Sequence, residues 1–350
     1  MGEIDRKNPI IDGDIDYGRV FVTFTQHTEQ KITHGLLLES LLRALKERGN
    51  VLKDREPTTL VDLGCGEGHT AYEMIDAINR VHPQGRGVNY YGLDSDERFV
   101  RSTQRLLERF QDEQRLQLIN VQRADVLKGE PLPIASTDDV LATMGHVLYY
   151  AHSREGGDQT RKNVAAIIDS ITGLLGRDGL CLLVHSAASC PLATLRASVA
   201  DSIEAKPTSI VADVAEEKHL IVMSLAVPFR LRFPSLSSRL WDKTRDLDRY
   251  RAELGSDKQL TTTLELLTFV AQRGLKSLAD AGKLEVFVEA LRAQLDENAV
   301  LHGLSEYQLL LSPIQSPELE ASIGAALEQV GQSLDRIGRE ARQTFDRRAL

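Results

Sequence analysis

The stretch VDLGCGEGH, residues 61–69, decides the fold of this chain. Asp62 and three glycines, at positions 64, 66 and 68, follow the short apolar run TTLVDLG and precede TAYEMIDAINRVH, whose apolar residues recur at helical spacing. Glycines let the backbone turn sharply and approach a ligand closely, and a helix N-terminus offers N–H groups to it. The stretch therefore predicts a strand, a tight turn and a helix, with a nucleotide-like ligand at the turn.

The same alternation of strand and helix continues outward from this turn. Further strands are predicted at NYYGLD (89–94), RLQLINVQRAD (115–125), DDVLATMGHVLYY (138–150) and GLCLLVHS (179–186). Helices are predicted at TAYEMIDAINRVH (70–82), DERFVRSTQRLLERFQ (96–111) and VAAIIDSITGLLG (164–176), and one more precedes the glycines at 28–49. This order predicts an α/β fold: a Rossmann-like, seven-stranded, mostly parallel sheet with helices on both faces.

The second half of the chain is predicted to complete the sheet around a helical insertion. A long strand at 219–233, with a kink at Pro228, and a strand at 305–312 enclose residues 238–297, which are helical throughout in their pattern. We expect four segments: an N-terminal substrate-covering segment and helix (1–50), a cofactor-binding core (51–190), the rest of the sheet with an insertion at about 235–303 (191–312), and a C-terminal helix (313–350).

The C-terminal helix carries one apolar seam. Pro317 suits its first position, and Ile323, Leu327, Val330, Leu334, Ile337, Ala341 and Phe345 follow at steps of mostly four and three. Such a seam packs on its own domain or pairs with a second copy as a homodimer contact.

Composition excludes several classes of protein. The chain has 350 residues, 42% hydrophobic and 27% charged, with a net charge of −9, which argues against nucleic acid as a partner. Its three cysteines form no CxxC pair and its histidines have no metal-ligand spacing, so neither a disulfide nor a metal site is predicted. The acidic N-terminus and the lack of an 18-residue apolar run predict a cytoplasmic protein without a membrane partner.

Spacing decides which ligand the glycines suit. A dinucleotide fingerprint requires a third glycine at position 69, where this chain has His69, and an acidic residue about 20 residues further on. The acidic residue that closes the second strand is instead Asp94. DLGCGEG resembles motif I of the class I S-adenosylmethionine-dependent methyltransferases, which implies S-adenosyl-L-methionine as the cofactor.

The resemblance also implies which residues hold that cofactor. Asp62, Gly64, Cys65, Gly66 and Gly68 would lie at its amino-acid portion, Asp94 and Ser95 at the ribose, Ala124 and Asp125 at the adenine, and Met144 and Gly145 at the methyl-donor side. Two alternatives remain open: Asp94 as a helix N-cap and Asp125 as a solvated loop carboxylate.

Two further stretches resemble small-molecule methyltransferases of the histamine N-methyltransferase type. They are FTQHTEQ (24–30) and GHVLYY (145–150); the Leu-rich LELLTFVAQ (264–272) also resembles a segment of that family. The resemblance implies Glu29, His146 and Tyr150 as catalytic residues, and a substrate pocket formed by Tyr17, Phe21, Glu29, His146, Tyr150 and Trp241. Aromatic walls and a carboxylate suit a small amine or cation. Gln30, His146 and the single Trp241 depart from the family pattern, so histamine itself is not predicted.

Each of these residues also has a structural alternative. Glu29 suits the first turn of a helix through the helix dipole, Phe21 and its neighbours Val22 and Phe24 suit a packed edge strand, and His146 suits a hydrogen-bonded loop.

The predicted function is methyl transfer to a nitrogen of a small amine, imidazole or other aromatic metabolite. Methyl transfer needs alignment above all, and a base only where the nucleophile arrives protonated. The alternatives are an O- or C-methyltransferase acting on a small acid, with or without a metal, and a silent binding or scaffold subunit of the same fold.

Overall fold

The protein is described here from a computed structural model, which covers residues 17–48, 58–83, 87–111, 115–126, 140–147, 151, 157–175, 179–186, 190–197, 207–235, 237–245, 256–271, 273–313 and 317–349. The chain divides into two compact units. The sheet unit comprises residues 31–187, 205–227 and 306–350, and the helical unit comprises 1–30, 188–204 and 228–305. The predicted 1–50 segment is thus shared between both units, and the predicted insertion belongs to the helical unit.

Seven strands of the described residues form one sheet. They are β1 (Thr58–Leu63), β2 (Val88–Asp94), β3 (Leu116–Arg123), β4 (Val140–Gly145), β5 (Leu180–Ser186), β6 (Leu220–Arg232) and β7 (Val300–Pro313), in the order β3-β2-β1-β4-β5-β7-β6. Strands β1 to β5 pair in parallel, and β7 pairs antiparallel with β5. The predicted fold class, a mostly parallel seven-stranded α/β sheet, is confirmed.

Helices cover both faces of this sheet. The sheet unit contains α2 (Gln30–Glu47), α3 (His69–Val81), α4 (Glu97–Gln111), α5 (Gly157–Leu175), α7 (Pro207–Glu217), α12 (Pro317–Gln332) and α13 (Leu334–Ala349). One apolar core joins α2, α3, α12 and α13 to the face that carries Leu60, Leu141, Leu182 and Leu310. A second core joins α5 and α7 to the opposite face, through Val61, Ala142 and Leu183.

The helical unit contains α1 (Tyr17–Gln26), α6 (Pro191–Ala197), α8 (Ser238–Arg245), α9 (Lys258–Ala271), α10 (Leu275–Asp280) and α11 (Leu284–Arg292). The predicted helical insertion is therefore confirmed, but as separate helices. Gly274 precedes α10 as its N-cap, and Gly282, in the left-handed region at φ 68°, stands between α10 and α11. A left-handed residue ends a helix, which explains one of the breaks.

The structure corrects the edge-strand alternative for residues 21–24. They lie in helix α1, because Val20 and Phe24 are four residues apart and are both buried on one side of it. Phe24 stacks on Phe269 of α9 with ring centroids 4.0 Å apart. The aromatic residues of this segment thus follow a helical period.

The single C-terminal helix is also corrected, because it is broken at Ser333 into α12 and α13. Its seam is buried in the core of its own unit: Ile323, Val330, Ile337 and Ala341 are each at most 2% exposed. These side chains therefore pack within their own unit. A homodimer formed through this region stays a prediction. None of the described helices is long and apolar enough to cross a membrane.

Candidate functional site

The glycine turn, residues 64–68, follows β1 directly and leads into α3. Gly64, Gly66 and Gly68 have φ values of 80°, 54° and 82°, in the left-handed region that favours glycine. The N–H groups of Gly64 and Cys65 both donate to the carbonyl of Leu93, at 2.7 and 3.0 Å, which fixes the turn to the end of β2. The alternating glycines are therefore required by the backbone.

The three glycines differ in what surrounds them. A Cβ on Gly64 would lie 2.3 Å from Cγ2 of Val147, and a Cβ on Gly68 would lie 3.1 Å from the side chain of Thr103. Among the described residues, a Cβ on Gly66 would meet nothing within 4 Å, and the same holds for Gly145 at the end of the neighbouring strand β4. Open space therefore lies over the carboxyl ends of two adjacent strands, where open α/β sheets bind ligands.

Asp94 closes β2 beside this turn. Its Oδ2 accepts a hydrogen bond from the N–H of Gly66 at 3.0 Å, and its Oδ1 accepts one from the N–H of Asp96 at 2.9 Å. Burial raises the pKa of Asp94, and the two backbone N–H groups oppose that rise. Each carboxylate oxygen can accept a second hydrogen bond, so the group is oriented by the turn and still able to bind hydroxyls.

Asp62 lies beneath the turn and not at its open side. Its side chain is 2% exposed, and its Oδ2 accepts a hydrogen bond from the hydroxyl of Tyr90 at 3.2 Å. Burial raises the pKa of Asp62 to about 7, whereas Tyr90 and the charge of Lys31 oppose the rise. Asp62 therefore supports the turn from within. The thiol of Cys65 is also buried, which raises its pKa well above the usual value.

The other predicted cofactor residues lie at the same edge of the sheet. The N–H of Ala124 donates to the carbonyl of Asp94 at 2.9 Å, so Ala124 and Asp125 follow β3 beside the end of β2. Ser95 is exposed and Asp125 is half-buried. Met144 is 1% exposed and belongs to the core that includes α5.

A second polar group, the Glu306 cluster, lies in the same unit and consists of Glu306, His34 and His146. Glu306 Oε2 is 2.7 Å from Nε2 of His34, and its Oε1 is 2.8 Å from Nε2 of His146. His34 comes from α2, His146 follows β4, and Glu306 lies on β7 opposite Ser186, the last residue of β5. One carboxylate therefore joins three distant segments of the chain.

The cluster is almost completely withdrawn from solvent. The side chains of Glu306 and His34 are 1% and 2% exposed, whereas His146 is 11% exposed. Burial alone would raise the pKa of Glu306, but the charges and hydrogen bonds of His146 and His34 lower it well below its usual range. Burial lowers the pKa of His34, although Glu306 opposes this. Glu306 is therefore a carboxylate that accepts from two imidazole N–H groups, and His146 is the most exposed member of the cluster.

Further polar side chains extend the cluster across the sheet. Side chains two apart on a strand share a face, so Glu306 and Gln308 lie on the face of Leu310, which α2 covers. Burial lowers the pKa of Lys31 on α2. The charges of Glu306 and Asp62 are close enough to oppose this decrease. Neither the amide of Gln308 nor Nδ1 of His34 has a hydrogen-bond partner in the described part of the chain. Buried polar atoms of this kind normally have a partner, so this layer is suited to a polar ligand.

His146 is held in an unusual conformation. It has a φ of 61°, one of three non-glycine residues in the described ranges with a positive φ, and its N–H donates to the carbonyl of Val184 at 3.0 Å. A left-handed conformation is sparsely populated by residues with a side chain and is often found at functional sites.

Four of the predicted substrate residues, Tyr17, Phe21, Glu29 and Trp241, belong to the helical unit. Glu29 accepts a hydrogen bond from Nε of Arg230 at 2.8 Å, so a cation of the protein itself already pairs with it. Phe21 packs with Phe24 and Phe269. Trp241 is fully buried, with its ring centroid 6.1 Å from that of Phe233, and its role in substrate binding stays a prediction. The side chain of Tyr17 and all of Tyr150 lie outside the described residues.

The sequence interpretation missed three residues of the Glu306 cluster and its surroundings: Glu306, His34 and Lys31. A signal for Glu306 was present, because it lies on the same face of its strand as Gln308 and the buried Leu310. His34 and Lys31 had no such signal, since both fall inside a helical pattern. In the described part of the chain, no three His, Cys, Asp or Glu side chains are arranged to hold a metal ion.

Comparisons with known proteins give fold likeness at low similarity. No protein-family model matches the chain, and no curated protein matches it. A candidate sarcosine dimethylglycine methyltransferase from Galdieria sulphuraria is 14% identical at a TM-score of 0.41, covering 78% of this chain and 84% of that one. The O-MT segment of StiE is 13% identical at a TM-score of 0.38, over 83% and 79% of the two chains. A SAM-dependent methyltransferase from Aquifex aeolicus is 12% identical at a TM-score of 0.32, over 52% and 80%. TM-scores of this size do not assign a family, so function is inferred from the site itself.

Proposed function

We propose that the protein is an S-adenosylmethionine-dependent methyltransferase acting on a small molecule. The observation that carries the proposal is the glycine turn with Asp94 bound to it. The open space at Gly66 and Gly145 would be filled by a side chain at either position, and the carboxylate beside it is oriented by backbone N–H groups. The site therefore fits a nucleoside with two ribose hydroxyls.

A dinucleotide fits the same turn less well. The third glycine of its fingerprint is replaced by His69, and the antiparallel strand β7 lies between β5 and β6, unlike the strand order 3-2-1-4-5-6 of dinucleotide-binding sheets. Gly68 stands directly before α3 and adds no side-chain hydrogen bond there. The first N–H groups of that helix can therefore face an anionic group such as the cofactor's carboxylate.

Each residue has a separate task in this proposal. The glycine turn would hold the amino-acid portion, Asp94 the ribose, and Ala124 and Asp125 the adenine. When bound, S-adenosylmethionine supplies an electrophilic methyl group on sulfur. The chain's own residues then orient the acceptor and receive its proton, and orientation alone supplies much of the rate.

The nature of the acceptor atom rests on the Glu306 cluster. A nitrogen of a small amine, imidazole or other aromatic metabolite is the acceptor that the sequence predicts. A hydroxyl is the second candidate, because the pairing of His146 with a buried carboxylate is an arrangement suited to removing a proton. The other predicted alternatives, a metal-assisted acid methyltransferase and a silent binding subunit, have no specific observation in their favour.

Asp94→Ala tests the proposal. Calorimetry with the demethylated cofactor, S-adenosylhomocysteine, should show binding to the natural protein and at least a 100-fold loss in Asp94→Ala, since an alanine offers no acceptor to the ribose. Asp96→Ala is the matched control: its carboxylate lies two residues away and pairs with Arg98. It should bind as the natural protein does. Binding of NAD in place of S-adenosylhomocysteine would overturn the proposal.

A further inference from the structure

We propose that Glu306, His146 and His34 form a proton relay, in which His146 takes a proton from the methyl acceptor and Glu306 holds its imidazole in position. This inference rests on the proposed methyl transfer and adds the acceptor's chemistry: the atom that is methylated carries a proton that must leave. The Glu306 cluster was not part of the sequence prediction except for His146.

The geometry defines the role of each nitrogen. A pKa lowered well below its usual range keeps Glu306 a carboxylate, which only accepts, so the ring nitrogen 2.8 Å from its Oε1, Nε2 of His146, donates a hydrogen bond to it. In the neutral imidazole the other nitrogen, Nδ1, then has the lone pair. His146 is also the cluster member with the greatest side-chain exposure, at 11%, so we assign the role of the base to it and not to His34.

His34 repeats this arrangement on the other carboxylate oxygen. Its Nε2 lies 2.7 Å from Oε2 of Glu306, and its buried Nδ1 has no partner among the described residues. Glu306 is thus held from two sides, and Lys31 of α2 is a further charged group close to it. A carboxylate fixed in this way stabilises the imidazolium that forms when His146 takes up a proton.

The reaction balances with the acceptor as the proton source. The O–H or N–H bond of the acceptor breaks and its proton moves to Nδ1 of His146. The electron pair left behind forms the bond to the methyl carbon, and the pair of the carbon–sulfur bond stays on sulfur, giving the neutral thioether. The imidazolium of His146 then returns its proton to solvent after the product leaves.

Histidine tautomers test the relay without any acceptor. Long-range proton–nitrogen NMR of the full chain, labelled with 15N-histidine, distinguishes Nε2–H from Nδ1–H, and His34→Asn and His146→Asn assign the signals. We expect the Nε2–H form for both residues. In Glu306→Gln at least one of them should change to Nδ1–H, because an amide has a single oxygen acceptor and its nitrogen donates. An Nδ1–H form of His146 in the natural protein, or unchanged tautomers in Glu306→Gln, would overturn the relay.

Turnover tests the acceptor class and separates the two proposals. Transfer of labelled methyl is measured on hydroxyl acceptors (phenol, catechol), N–H acceptors (imidazole, a primary amine) and an acceptor without a removable proton (pyridine). We expect turnover in one of the first two groups and a loss of roughly 100-fold in Glu306→Gln, as for removal of acid–base assistance. Glu265→Gln is the control, since Glu265 is also buried and ion-paired, to Arg19 at 2.6 Å.

The outcomes are distinguishable. If the natural protein does not bind S-adenosylhomocysteine, the proposed function itself is wrong. If it binds S-adenosylhomocysteine but methylates pyridine, and Glu306→Gln turns over as fast as the natural protein, only the relay is wrong. If none of the acceptors is turned over, the tautomers alone decide it.

Discussion

The glycine turn is built from one continuous segment of five residues, whereas the Glu306 cluster takes its side chains from α2, from the end of β4 and from β7. The turn presents backbone groups and open space, and a Cβ is excluded or strained at its glycines. The cluster presents buried, ionisable side chains that satisfy one another. In the proposed mechanism the first region binds a ligand without a change of charge, and the second moves a proton.

The two regions also differ in how they depend on the fold. Hydrogen bonds to the neighbouring strand end are enough to fix the turn. The cluster exists only where three segments meet, so it requires the complete sheet unit. A substitution in the turn should therefore act through sterics, and a substitution near the cluster through charge.

The largest effect is expected at Gly64. Gly64→Ala places a methyl group 2.3 Å from Val147 and requires a left-handed alanine, which together should lower the free energy of unfolding by roughly 4 kcal/mol. Gly66→Ala is the matched variant, because it has the same strain of φ but open space around it. Its free energy of unfolding in urea should be only about 1 kcal/mol below that of the natural protein. It should nevertheless bind S-adenosylhomocysteine at least tenfold more weakly than the natural protein does. Equal stability losses would mean that steric exclusion at Gly64 is unimportant.

A smaller effect, dependent on pH, is expected at Asp62, which lies beneath the turn and is faced by Lys31. Its pKa is raised to about 7 by burial, so its contribution to stability is full below pH 4, falls as the pH rises towards 7 and is constant above that. Asp62→Asn has no ionisable group at this position, so its stability should not fall for this reason as the pH rises. The natural protein should therefore lose roughly 3 kcal/mol relative to Asp62→Asn between pH 4 and pH 8, measured by urea unfolding.

Asp76→Asn is the control for that pH series. Asp76 is a half-buried carboxylate of the same unit, and it pairs with Arg80 and Arg115 at 2.8 and 2.9 Å. Its removal should give no gain in stability at pH 8. A flat difference between Asp62→Asn and the natural protein would show that the buried carboxylate is ionised without cost.

The smallest effect is expected at Glu29, and its substitution tests whether the helical unit takes part in binding the acceptor. Glu29→Gln keeps an oxygen for Nε of Arg230 but removes the charge of the pair, so we expect a loss of about 1 kcal/mol in stability and no change in S-adenosylhomocysteine binding. A double-mutant cycle with Arg230→Gln measures the pair itself. For any acceptor found to be turned over, a rise in KM above tenfold would support the predicted role of Glu29 in substrate binding.

The fold and the turn were predictable because their signals are local. The three glycines and Asp62 lie within one short stretch. Each strand or helix pattern around it determines one element by itself. The aromatic residues of 17–26 were harder, because a short segment with Phe21 and Phe24 fits either period until the packing of Phe24 on Phe269 is known.

The Glu306 cluster was not predictable for a physical reason. His34 and Glu306 are 272 residues apart, and only the pairing of β7 with β5 brings Glu306 to the edge where His146 follows β4. A buried polar residue in an apolar strand indicates that a partner exists but does not identify it. Non-local polar pairs of this kind become visible only when the register of the sheet is known.

The left-handed backbone of His146 sets two evolutionary pressures against each other. A glycine would adopt φ 61° without strain, but it would leave the buried carboxylate of Glu306 without one of its two imidazole partners. Backbone strain thus disfavours a histidine at this position, whereas the buried charge of Glu306 favours it. Diverged copies of this chain that carry glycine at position 146 should therefore also have lost the carboxylate at position 306.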